Sequence, residues 1–427
     1  MKSIELKRSL LDGSLDMRLM EVYGGKAEAM SRREYYSTLT EAFERFFPEC
    51  RDCDIRLFSA PGRTEVGGNH TDHNHGKVLA ASIDLDCVAA VCKTDIPEIR
   101  IDSVSFPEDK IDLNDLAFRE EEKGTSASLI RGICHRFKEL GYSIGGFNAA
   151  QASRVLKGSG LSSSAAYEVL IGTILNCLYN DGKISPVEIA IISQYAENNY
   201  FGKPCGLMDQ TACSVGGFVE IDFENNDKPV IERIDFDFES SDYVLCIVDT
   251  GGNHADLTAD YAAIKGDMCA VAAVFGCEYL REVPFEKFWE NVALVREKAG
   301  DRAVMRALHF YNENLRVDKE AAALKNGDFE KCLHYIQESG ESSFMYNQNV
   351  FTPARPLEQP VSLALAMSEQ LLGRHGVWRV HGGGFAGTIQ VFLPRNILHN
   401  YMTKMKSVFG EKSCYILTIR QAGGSEI

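Results

Sequence analysis

The sequence predicts an α+β chain of two domains, and three observations carry that prediction. At 427 residues it is longer than one hydrophobic core usually organises. Strand-like runs gather between residues 55 and 104 and between 217 and 249, then return after 377, whereas 256–372 is mostly helical. No repeat, low-complexity tract or Pro/Ser linker separates the parts, so the two domains must share a tight interface. The least unfavourable cut lies near 203–216. It gives an extension over 1–34, a first domain over 35–210 and a second over 211–427.

Taken in order, residues 1 to about 34 are charged and helix-prone with weak periodicity, and read as a peripheral extension. From Arg33 to Phe47, Tyr35, Tyr36, Leu39, Ala42, Phe43 and Phe46 recur at helical spacing, an amphipathic helix that ends before Pro48. Ile55–Ala60 reads as a strand closed by Pro61 and Gly62. Val78–Val91, interrupted by Asp84 and Asp86, reads as one or two strands leading to a hairpin with Ile99–Val104. Ser128–Leu140 is helical, Phe147–Ser153 a strand, and Pro186–Tyr200 a helix that ends at Gly202. Short strands follow at Gly217–Phe223, Val230–Phe236 and Tyr243–Asp249. Helices are expected at Tyr261–Val274, Phe285–Lys298, Ala303–Leu315 and Leu363–Leu372. Strands at Val377–Val380, Thr388–Leu393 and Tyr415–Ile419 flank a glycine cluster, HGGGFAG, at 381–387.

A net charge of −16 argues against nucleic acid or an anionic membrane as the main partner. No apolar run approaches the ~20 residues that span a bilayer, and MKSIELKRSLLDG has no secretory pattern. Thirteen cysteines scattered without a disulfide-scaffold spacing suit a reducing cytoplasm. Cys50 and Cys53 form a CxxC, but no second CxxC appears, so they read as two thiols at a helix end. The sequence does not specify an oligomer and is compatible with a monomer.

The chemistry is read outward from 155–168, VLKGSGLSSSAAYE. Gly158 and Gly160 let the backbone approach a ligand. Ser162, Ser163 and Ser164 supply hydroxyls and N–H groups at the start of a helix, where unpaired donors and a partial positive charge suit a phosphate. The string is neither a P-loop nor a dinucleotide fingerprint. The loop GRTEVGGNHTDHNHGK at 62–77 concentrates Arg63, Glu65, Asn69, His70, Asp72, His73 and His75. Its glycines argue for irregular backbone, so these groups suit hydrogen bonds to a polyol better than they suit a dedicated metal centre. Asp209, in CGLMDQ, has an apolar approach that raises its pKa unless an arginine holds it ionised.

Together GRTEVGGNHTDHNHG, GSGLSSSA, CGLMDQ and HGGGFAG resemble, in order and separation, the sugar kinases of the GHMP superfamily, and the first segment resembles the galactokinase signature in particular. The resemblance covers roughly Arg33 to the C-terminus. It implies an N-terminal domain with a ribosomal-protein-S5-like fold, a ferredoxin-like C-terminal domain, and an active site in the cleft between them. It implies an ATP phosphate loop on Lys157, Gly158, Ser159, Gly160, Leu161, Ser162, Ser163 and Ser164, with Mg²⁺ ligands on Ser164 and Glu197. Asp209 is then the catalytic carboxylate and Arg63 its assistant. The sugar contacts fall on His70, Asp72, Gly206 and Tyr261, and Gly382–Gly387 forms a tight turn that closes the substrate side and meets the phosphate loop. The implied activity is phosphoryl transfer from ATP to a small sugar, galactose first, with N-acetylgalactosamine, galactosamine and L-arabinose as alternatives. A non-catalytic sugar and ATP sensor, a metal hydrolase built on HTDHNH and another superfamily branch are the competing readings.

The sequence departs from the galactokinase pattern at three positions. That pattern has Asn at the position of Glu65 and Glu at that of Asn69; here the two are exchanged, and His73 replaces a tyrosine. If 65–69 were one helical turn, Glu65 would share a face with Asn69 and restore the carboxylate to the sugar site.

Overall fold

The computed structural model describes residues 1–103, 107–155, 160–226, 228–252 and 257–427, with the side chains of 26–29 also left out. Three helices open the chain, α1 (Ser3–Asp12), α2 (Asp16–Tyr23) and α3 (Lys26–Phe46). Next come β1 (Ile55–Gly67), β2 (Lys77–Lys93), β3 (Glu98–Ser103), β4 (Asp109–Asp112), α4 (Ser126–Glu139) and β5 (Phe147–Ser153). The middle of the chain holds α5 (Ser163–Tyr179), α6 (Pro186–Ala196), α7 (Met208–Val215), β6 (Phe218–Asp222), β7 (Val230–Ile234) and β8 (Tyr243–Asp249). A helical stretch follows, α8 (Thr258–Val274), α9 (Phe285–Glu290), α10 (Val292–Ala299), α11 (Asp301–Lys325), α12 (Phe329–Ser342) and α13 (Pro360–Leu372). The chain closes with β9 (Val377–Val380), β10 (Thr388–Pro394), α14 (Leu398–Phe409), β11 (Cys414–Leu417) and β12 (Ser425–Glu426).

These strands form two sheets. The first runs β12-β1-β2-β5-β3-β4, with β6 and then β7 added beside β2; the second, β11-β8-β10-β9, is antiparallel throughout. Asp84 and Asp86 do not break β2. They mark where the single long strand changes partner, from β6 over Lys77–Ala81 to β5 over Cys87–Lys93. Side chains between those pairings turn to other work, and Asp86 is fully buried against Arg154, Ser59 and Tyr23.

The near-continuous apolar run of β2 has a physical consequence that the expected layout missed. A strand apolar on both faces needs cover on both. Ala89, Val91 and Phe58 face the main core with α5, whereas Val88, Ala90, Cys92 and Leu57 face a second core built with α1–α3. Residues 1–34 are therefore no peripheral extension. Leu6, Leu10, Leu19, Val22 and Tyr23 are buried, and the Tyr23 hydroxyl donates to Asp86 Oδ2 at 2.5 Å. The third helix begins at Lys26, not Arg33.

The cut at 210/211 also fails to follow the layers, because it passes through α7. Strands β6 and β7 belong to the first sheet, and the second begins only at Tyr243. The C-terminal segment returns to the first sheet as well, where β12 pairs with β1 and Arg420 is buried with Nη1 2.6 Å from Ser59 Oγ. One core cluster takes residues from both sheets, including Ile247 and Phe392 of the second. The interface is as tight as the missing linker requires.

Leu19→Ala tests the integration of the first helices. Removing a fully buried leucine should destabilise the whole fold by about 2–5 kcal/mol in urea unfolding. A change below about 0.5 kcal/mol would mean that this layer unfolds separately.

Candidate active site

Strand β1 delivers the first chemical group. The register shifts between Pro61 and Arg63, so the strand bulges and re-aims its side chains. Gly62 permits the approach that follows, since a Cβ there would stand 2.7 Å from Leu161 O. The Arg63 N–H donates to that same carbonyl at 3.1 Å, and Arg63 Nη1 donates to Gly160 O. Strand and glycine loop are thus stitched together.

The rest of the Arg63 guanidinium grips Asp209 as a fork, Nε to Oδ1 at 2.7 Å and Nη2 to Oδ2 at 2.9 Å. Asp209 lies in the first turn of α7, where the helix dipole favours an anion. Burial works to raise its pKa. The Arg63 charge and hydrogen bonds from Ser162 and Arg63 outweigh burial and hold the carboxyl below the ordinary aspartate value. About 30% of the Asp209 side chain stays exposed, so the carboxylate is both fixed and accessible.

Ser162, the N-cap of α5, adopts the left-handed region at φ 58°. That conformation costs a serine on the order of 1–3 kcal/mol, and it aims the hydroxyl at Asp209 Oδ2. Two residues on, Ser164 Oγ donates to Glu197 Oε1 at 3.1 Å. Glu197 is buried and also accepts from Gln210 Nε2 at 2.7 Å and Cys205 Sγ at 3.0 Å, with Lys203 Nζ at 3.2 Å. Glu168, four residues after Ser164, takes Gln210 Nε2 on Oε2 at 3.1 Å, while its buried Oε1 has no partner. Burial and the Glu197 charge push the Glu168 carboxyl well up.

On the other side of Asp209 a cavity of about 230 Å³ is lined by Arg63, Glu65, Asn69, His70, Asp72, His73, Cys205, Gly206, Met208, Gly382 and Gly383. His70 also has a left-handed backbone, φ 60°. Its Nε2 donates to Gly383 O at 2.8 Å, which leaves Nδ1 as an acceptor. Burial pushes its pKa down to about 4, so the ring is neutral. Gly206 lets the chain pass close to Asp72, whose Oδ2 would stand 2.8 Å from a Cβ there. Tyr261 packs against Gly383 and donates to Gly384 O at 3.0 Å, behind the cavity wall. The HGGGFAG turn reaches the glycine loop too, because His381 Nδ1 would lie 3.3 Å from a Cβ on Gly160. Lys157, Gly158 and Ser159 fall outside the described residues. A larger cavity of about 1210 Å³, beside α12, α13 and β9, contains none of these groups.

A model of the GHMP kinases N terminal domain matches residues 128–217, and one of the galactokinase galactose-binding signature matches 41–93. A galactokinase of Streptomyces coelicolor is 32% identical over 344 residues, covering 79% of this chain and 84% of its own. The chain belongs to the galactokinase family. A galactokinase of Actinobacillus pleuropneumoniae is 29% identical over 365 residues, 83% of this chain and 89% of that one. The fold agrees: Lactococcus lactis galactokinase complexed with galactose superposes with a TM-score of 0.75 at 23% identity, over 91% of this chain and 100% of that one. The Methanococcus jannaschii mevalonate kinase does so at 0.61 and 16%, over 86% and 98%. As a member of the galactokinase family the chain is an ATP-dependent sugar kinase.

Against the galactokinase pattern, the exchanged pair is in contact, but not through a helical turn. Glu65 lies in β1, and a second bulge followed by Gly68 at φ 84° folds the chain back until Asn69 Nδ2 donates to Glu65 Oε1 at 2.9 Å. Asn69 is already occupied by protein: its Nδ2 also donates to Gly382 O at 2.8 Å and its Oδ1 accepts from Asn349 Nδ2 at 2.8 Å. The HTDHNH histidines do not converge either, since His75 stacks on Tyr279 with ring centroids 3.9 Å apart. Among the described residues no metal-type cluster includes them. Sequence reasoning missed the Ser162 bond to Asp209 and the bridging of Glu197 and Glu168 by Gln210. Only the second had a signal, in the i, i+4 spacing of Ser164 and Glu168 and the position of Gln210 beside Asp209.

Arg63→Met tests the electrostatics. Without the guanidinium, burial dominates and the Asp209 pKa rises. The native pair stabilises the fold above the unfolded aspartate pKa and ceases to as pH falls through the lower folded value. The variant should lose its ionised carboxylate at higher pH, so the acid limb of kcat moves up while kcat falls about 10²-fold. An acid limb that stays in place counts against the pair.

Proposed function

We propose that the chain transfers the γ-phosphoryl group of ATP to the anomeric hydroxyl of D-galactose, with Asp209 as catalytic base and Arg63 as its assistant. The observation that carries the reading is a carboxylate kept ionised by Arg63 and Ser162 between the start of α5 and a small polar cavity. The names of the curated relatives and the match to the galactose-binding signature support galactose as the acceptor.

In this reading the sugar occupies the cavity. Asp72 accepts from its hydroxyls, neutral His70 accepts through Nδ1, and Gly206 provides close backbone approach. Glu65 and Asn69 shape the wall, and Tyr261 supports Gly383 from behind. The N–H groups at the start of α5, with Ser162, Ser163 and Ser164 and the preceding Gly160 and Leu161, receive the triphosphate. Asp209 orients the attacking hydroxyl and takes its proton as the new P–O bond forms and the bond from the γ-phosphorus to the bridging oxygen breaks, releasing ADP. Its low pKa makes it a weak base, which fits a loose transition state in which proton transfer comes late and positioning contributes most.

The oxygen donors of Ser164 and Glu197, with the unpartnered Glu168 Oε1 nearby, are the hard ligands that suit Mg²⁺. Bound there, Mg²⁺ would supply charge neutralisation for the triphosphate. No described helix is long and apolar enough to cross a membrane, in keeping with a cytoplasmic enzyme acting on a small sugar.

ADP release measured against a panel of hexoses should show the highest kcat/KM with D-galactose; no release with any sugar would favour a sensor. Asp209→Asn should lower kcat by about 10³-fold or more while ATP affinity stays within about threefold. Full turnover in that variant removes Asp209 from the mechanism. Glu65→Gln should raise the galactose KM about tenfold, and an unchanged KM removes Glu65 from the sugar wall.

A further inference from the structure

Three thiols converge at the far end of the first sheet from Asp209. Cys50 ends the 3₁₀ turn Pro48–Cys50 that follows α3. The Cys53 N–H donates to Cys50 O at 3.0 Å, a turn that holds the two CxxC residues together. Cys92 comes from β2, opposite Ile55 at the start of β1. The three sulfur atoms lie within 4.8 Å of one another. Cys50 and Cys92 are buried and Cys53 is half-buried, so the trio is closed below and open on one side.

A thiol that only fills a core packs against carbon; here each sulfur has two other sulfurs as near neighbours. Thiolates at about 2.3 Å from a tetrahedral zinc ion stand roughly 3.8 Å apart, a spacing this trio reaches by side-chain rotation. A second observation points the same way. Asn148 Nδ2, from β5, donates to Cys50 Sγ at 3.2 Å, the outer-shell contact that orients a ligand and stabilises its negative charge.

We propose that Cys50, Cys53 and Cys92 form a zinc site with three thiolate ligands and water in the fourth position. Binding releases three thiol protons to solvent and leaves the zinc and its three sulfurs with a net charge of about −1. The ion ties the end of α3 to β2 and so fastens the helical layer to the sheet. It is separate from the phosphoryl-transfer site, because Cys92 and Arg63 are about eight to ten strand positions apart, roughly 25–30 Å.

Full-length protein purified without chelator should carry about one zinc per chain by mass spectrometry of the metal. Chelator-treated protein given Co²⁺ should show a thiolate-to-cobalt charge-transfer absorption that Zn²⁺ displaces. Cys53→Ser, at the half-exposed position, should fold, keep galactose kinase turnover within about twofold, lose the cobalt band and bind zinc at least about 100-fold more weakly. Asn148→Ala should weaken zinc binding about tenfold. Zinc should raise the thermal midpoint of the native chain and not that of Cys53→Ser. Three freely titrating thiols that bind no cobalt overturn the proposal, as does a band that survives in Cys53→Ser. Should Cys92→Ala fail to fold, Cys53→Ser and the cobalt spectrum decide alone.

Discussion

The arrangement depends on the bidentate pair between Arg63 and Asp209. Arg63 is carried by a strand and Asp209 by a helix start 146 residues away, and neither charge is stable in its surroundings without the other. The pair fixes the distance between β1 and α7. Through Gly160 O and the Ser162 hydroxyl it also fixes the glycine loop against both. The pair makes the carboxylate ionised, immobile and open to one side.

A second buried ionic network does the same for the sugar side. Arg379 of β9 donates to Glu65 Oε1 at 2.7 Å and to Val66 O, so the second sheet grips β1 just after Arg63. Glu313 of α11 accepts the Gly68 N–H at 3.1 Å and the Asn69 N–H at 3.3 Å. Burial opposes its charge, yet Arg316, His309 and Arg379 hold its pKa at about 2. Neighbouring Glu320 has two buried, unpartnered oxygens, and burial pushes its carboxyl well up. The loop that lines the cavity is therefore held by groups from the second half of the chain, and the cleft is a property of the packed domains together.

Much of this was legible from the string. The four motifs brought forward Arg63, Asp209, Ser164, His70, Asp72 and Gly206, and the stretch before CGLMDQ brought forward Glu197; the structure gathers these groups around one small cavity and one helix start. Elements such as α4, α6 and β5 lie close to their expected bounds. The first 34 residues were misread because their periodicity is weak, while the demand for their cover is written elsewhere, in a β2 apolar on both faces. The 210/211 cut failed for a related reason: sheet membership is decided by pairing, and β6 and β12 pair with strands far away in sequence.

By itself the sequence determined which functional groups the chain offers: a glycine- and serine-rich loop, a polar loop, a carboxylate and an arginine. These are choices of functional group, and functional groups are written residue by residue. Only the tertiary structure decided who holds whom. It brought Ser162 to Asp209, Arg379 to Glu65 and Cys92 to a lone CxxC, across separations of 47, 314 and about 40 residues. Such contacts follow from how strands and helices pack, and no local window of sequence encodes them.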